Sequence, residues 1–129
     1  MMQLMPLRIP PGWCTVFNKF MELPEMDDLS AEDKDAYLSE DILAMRSVEF
    51  LENHWGTTPE SIVLDLGWYA PPGRTGAYRL AVLHGNWENV AFTIEDANQY
   101  TIRDAIDKIL LDLSSGIPPQ EISWGAHDG

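Results

Sequence analysis

Between Ser61 and Glu95 three β-rich runs follow one another with room only for turns between them. Ser61 to Tyr69 (SIVLDLGWY) ends at Pro71-Pro72-Gly73, and Arg74 to Ala77 makes the turn into Tyr78 to His84 (YRLAVLH). Gly85-Asn86 is a tight-turn signal before a further run from Trp87 to Glu95. Parallel neighbours need a crossover of about a dozen residues or more, and none fits here. The region is therefore expected to be an antiparallel meander.

Other elements must pack on that meander. Trp13 to Phe20 is β-branched and aromatic, follows Pro10-Pro11-Gly12, and reads as a strand. Ser30, with Asp33 three residues on, is an N-cap signal. Leu38, Ile42, Met45, Val48, Leu51 and Trp55 then recur at steps of three or four, a helical spacing that Gly56 can close. The stretch near Leu38 to Ala44 is also open to an irregular form. Ile102, Ala105, Ile106, Ile109, Leu110 and Leu113 mark a C-terminal amphipathic helix, with Thr101 as candidate cap and Gly116 beyond its end. The sum is an α+β fold: a small antiparallel sheet of about four strands with helices packed on one face. The 129 residues suit one domain, with 1–10 and 117–129 peripheral.

Charge narrows the choice of partner. The net charge is −13, from 21 acids against 8 bases. Nucleic acid and anionic membrane would have to bind against that field, whereas a basic protein is favoured. The acids are also unevenly placed. Eleven lie between Glu22 and Glu52, opposed only by Lys34 and Arg46. Glu22, Glu25, Asp27, Asp28, Glu32, Asp33, Asp35, Glu40 and Asp41 form the densest part, with few apolar anchors, and are expected to make an acidic surface arm. Plain solubility is the competing use of such charge. A single cysteine, Cys14, excludes an internal disulfide. No signal-peptide pattern or apolar run near the ~20 residues of a membrane span occurs, so a cytoplasmic location is expected.

Catalytic templates find little purchase. No Gly-rich phosphate loop or Gly-x-Ser-x-Gly elbow is present. Cys14 with His54 or His84 would make a thiol–imidazole pair, but mid-strand placement favours an inert buried thiol. Glu49, Glu52 and His54 would be spread over different faces of a helix, and His127-Asp128 has no metal-site spacing. With 21 acids, paired carboxylates arise by chance. Catalytic, cofactor and metal residues are thus expected to be none. Asp65 stands in an apolar strand, where Arg79 is its natural partner, and Gly67 signals a bulge or close backbone approach. Trp68 and Tyr69 are either core, the commoner use, or a recognition patch.

Four pieces in order resemble a known family: Pro11-Gly12-Trp13 with Val16, Asn18, Phe20 and Glu22; Glu40-Asp41-Ile42-Leu43; Asp65-Leu66-Gly67-Trp68-Tyr69 with Pro71; and Gly76-Ala77-Tyr78-Arg79-Leu80. Together they are similar to small immunity proteins of bacterial contact-dependent growth inhibition and related polymorphic toxin systems, over most of residues 10 to 113. Two departures stand out. Ala70 separates Tyr69 from the proline, and Arg46 to Glu60 is long for the pattern. The resemblance implies a cytosolic, non-enzymatic antidote that binds the C-terminal toxin domain of a secreted effector, often a basic nuclease. Toxin contacts vary in such families, so none transfers by position. On physical grounds the acids of Glu22 to Asp41 would steer the encounter, and Trp55, Trp68, Tyr69 and Trp124 are the candidate anchors. An acidic adaptor or assembly protein for another basic partner, or a small enzyme with an unrecognised carboxylate site, are the alternatives.

Overall fold

The computed structural model describes residues 2–25, 28–73 and 75–122. In chain order the elements are β1 (Gln3–Leu4), β2 (Trp13–Asn18), β3 (Met21–Glu22), α1 (Ala31–Tyr37), β4 (Leu43–Ser47), β5 (Glu49–Leu51), β6 (His54–Gly56), β7 (Ile62–Tyr69), β8 (Ala77–His84), β9 (Val90–Asp96) and α2 (Gln99–Ser114). A short 3₁₀ turn, Pro119–Glu121, follows. The main sheet has five antiparallel strands in the order β2-β4-β7-β8-β9. The small ribbons β1-β3 and β5-β6 lie outside it.

The expected meander is β7-β8-β9, in which β7 and β8 are aligned over eight residue pairs from Ile62↔His84 to Tyr69↔Ala77. The last strand starts at Val90 rather than Trp87, because Gly85 to Asn89 is a longer turn than the Gly85-Asn86 signal implied. It is closed by bonds from the His84 N–H to the Asn89 carbonyl and from the Asn89 N–H to the Asn86 carbonyl.

The expected helix from Leu38 to Trp55 does not form. The Ser30 cap does start a helix, its Oγ accepting from the Asp33 N–H at 3.1 Å. That helix ends at Tyr37, and residues 43–56 are strands. Ile42, Leu43, Ala44 and Met45 are all buried, a continuous apolar run of the kind an inner strand shows when both its faces are covered. Apolar steps of three or four also fall on such a run by chance, so spacing alone misreads it. The sheet thereby gains its fifth strand, β4, between β2 and β7.

One face of the sheet carries the core. Leu64, Leu66, Leu80, Val82 and Ile94 meet Ile102, Ala105, Ile106, Ile109 and Leu110 of α2, spaced three and four apart on one helix face. Asn98, not Thr101, caps α2, its Oδ1 accepting from the Tyr100 and Thr101 N–H groups. Helix α1 buries none of its residues, so among the described residues α2 makes the helical layer. Opposite strand positions put Val63, Ala81 and Leu83 on the other face as a small cluster, in register with Asp65, Gly67, Arg79 and Glu95. Strand β2 is an edge, and most of its side chains are exposed. Cys14 is exposed there, not buried as expected, because its register with Arg46 and Val63 turns it to the sheet face away from α2.

Candidate binding surface

One end of the sheet gathers most of the candidate residues. There β7 ends, β8 and β4 begin, and α2 starts directly after β9. The segment after α1 is fixed on this end by two backbone bonds: the Trp68 N–H to the Ser39 carbonyl at 2.8 Å and the Ile42 N–H to the Leu66 carbonyl at 2.9 Å. Gly67 permits that approach, since a Cβ there would collide with the Glu40 carbonyl oxygen. Close backbone approach, rather than a bulge, is the use of this glycine: the β7-β8 register runs through it unbroken.

Glu40 and Asp41 are thereby held exposed beside Tyr69. The Tyr69 phenol is pushed above its ordinary range by partial burial, then by Asp65, Glu40 and Asp41, with Arg79 opposing. Asp65 is likewise raised, by burial first and by Asp41 second. The expected Asp65–Arg79 pair is absent. Register sets Arg79 opposite Gly67 and Glu95, while Asp65 faces Ala81. Arg79 instead pairs with Glu95 at 3.3 Å and lies 5.8 Å from the Tyr69 ring centre.

The same end holds a groove of about 500 Å³ between Leu23, Pro24, Glu25 and Leu29 on one side and the start of α2 on the other. Trp68 and Tyr78 form its aromatic wall, Glu25 lies on its lining and Tyr100 stands at the helix side. Trp68 sits edge-to-face on Tyr78, with centroids 5.0 Å apart, and Tyr78 sits on Phe20 in the same way at 5.6 Å. A Cβ at Gly76 would overlap the indole. Trp68 is thus both packed on the core and open to the groove. Burial pushes the Tyr78 phenol up to about 12. Gln99 clamps the groove's acidic side: its amide accepts from the Leu23 N–H and donates to the Leu23 carbonyl, each at 2.8 Å. Tyr100 donates its hydroxyl to Glu22 Oε2 at 3.1 Å.

Glu25, Asp28, Glu32, Asp35, Glu40 and Asp41 are exposed, and Glu22 and Asp33 half-buried. Among the described residues none of these acids is in an ion pair with a base. Asp27 and Trp124 lie outside the described residues.

Trp55 is not part of this end. It is 65% exposed on the β5-β6 hairpin, which joins the end of β4 to the start of β7, the opposite end of the sheet. Its ring packs edge-to-face on Phe50, which is 61% exposed. Sequence reasoning missed Phe50 because the region read as helix; as a hairpin, Phe50↔Trp55 is a direct cross-strand pair.

Among the described residues no group of three or more His, Cys, Asp or Glu side chains is placed to hold a metal ion, and no helix is long and apolar enough to cross a membrane. Comparison with protein families, curated proteins and solved structures finds none that matches this chain.

Proposed function

We propose that this chain is a binding protein of the immunity type, which captures a basic toxin domain and covers its working surface. One observation carries the reading: exposed acids without basic partners among the described residues share one end of the sheet with a groove that is lined by Glu25 and walled by Trp68 packed on Tyr78. Carboxylates paired within the molecule would have their field cancelled; unpaired ones project it and attract a positive surface. The rigid aromatic wall then supplies desolvated contact at low entropic cost, which long-lived complexes need and charge alone does not give.

The test is the association rate with a candidate basic toxin domain, followed by stopped-flow fluorescence. The rate should fall ~10- to 1,000-fold from low to high salt. Changing Asp28, Glu32, Asp35, Glu40 and Asp41 together to their amides should remove most of that salt dependence. A rate indifferent to both would count against the proposal. A second reading, an acidic adaptor joining two partners, draws support from the exposed Phe50–Trp55 pair at the far end. It requires a ternary complex that Trp55→Ala dissolves while the basic partner stays bound.

A further inference from the structure

We infer that the groove beside α2 is the seat for one arginine side chain of the basic partner, an assignment that rests on the binding-protein reading above. The groove offers the three things a guanidinium needs. Its apolar wall, Trp68 over Tyr78, can strip water from the aliphatic stem. The partly exposed Trp68 ring, held from below by the buried Tyr78, gives the planar head a face to stack on. Glu25 on the lining, with Glu22 fixed against the Tyr100 hydroxyl, supplies the counter-charge.

Two features favour a guanidinium over an ammonium. A planar, weakly hydrated head loses less on entering an aromatic slot than a compact, strongly hydrated one. The molecule also already places guanidinium groups on the tyrosines of this end: Arg103 lies 5.2 Å from the Tyr100 ring centre and Arg79 lies 5.8 Å from that of Tyr69. An anion is disfavoured even though a helix begins here. Two amides of the first turn of α2, those of Tyr100 and Thr101, are already taken by Asn98 Oδ1, and the charge on the groove lining is the Glu25 carboxylate.

The experiment is a ¹H–¹⁵N titration of the full chain at low salt with N-acetyl-arginine amide, using N-acetyl-lysine amide and N-acetyl-citrulline amide as controls. Saturable shifts are expected at Gly76, Gln99, Tyr100 and the Trp68 indole N–H. Arginine should bind at least ~3-fold more tightly than lysine, and citrulline should leave the groove unmoved. Tyr100→Ala and Glu25→Gln, both at exposed positions, should each weaken arginine binding about 3- to 10-fold with the melting temperature unchanged. Equal shifts with lysine would overturn the guanidinium assignment. Shifts confined to Glu32, Asp35, Glu40 and Asp41 would overturn the groove while leaving acidic capture intact. Groove shifts together with a toxin on-rate blind to salt would support the seat and sink the immunity reading.

Discussion

Trp68 and Trp55 stand at opposite ends of the sheet and are built into the molecule in opposite ways. Trp68 is wedged between Tyr78 and Gly76 on the core side, with one surface left to the groove. Trp55 touches Phe50 on a two-stranded hairpin and is otherwise largely in water. A ring immobilised by the core can serve as an anchor without losing further freedom on binding, whereas a ring on a hairpin must be ordered by its partner. The acids cluster at the end with the immobilised ring. Attraction and fixed contact surface therefore coincide at that end.

The contrast breaks first on stability. Trp68→Ala should lower unfolding free energy by about 3 kcal/mol in urea titration, because it empties a wall of the core. A loss comparable to that of Trp55→Ala would show that Trp68 is not integral. Next, pH separates the layers beneath Trp68. The Tyr78 phenol, normally near 10.0, is pushed up to about 12 in the folded protein. Its folded form holds the proton longer than the unfolded chain does, so its contribution is whole below pH 10 and is lost as pH rises towards 12. The loss should be on the order of 2 kcal/mol, and Tyr78→Phe should flatten that part of the stability–pH curve. Smallest of all, Trp55→Ala and Phe50→Ala should each change global stability by no more than ~0.5 kcal/mol. A larger cost would mean that the hairpin is part of the cooperative core.

Much of the scaffold was legible before the structure. Ser61–Tyr69, Tyr78–His84 and the apolar face of α2 each announce themselves through short-range pattern and turn residues, and each is found nearly where expected. The acid-rich stretch was legible as a surface because it lacks apolar anchors. The groove was not. Leu23, Gly76 and Gln99 come from three distant parts of the chain, and no local signal links them. Gly67 was readable as a close approach, but its neighbour, the Glu40 carbonyl, was not. Arg79 was paired with Asp65 on chemical grounds, yet the strand register gave it to Glu95.

The amino-acid order alone determined the three-strand meander, the C-terminal helix with its buried face, and the excess of acid in Glu22 to Asp41. Those depend on periodicity, turn chemistry and charge, all carried by residues close in the chain. Tertiary structure decided that Ile42 to Met45 is an inner strand, that Cys14 lies on an open edge, and that Trp68 rather than Trp55 joins the acidic end. A short apolar run suits a helix or a strand equally well, so its form is settled by the partners that cover it. Those partners, β2, β7 and the core beneath them, are contributed by other parts of the chain.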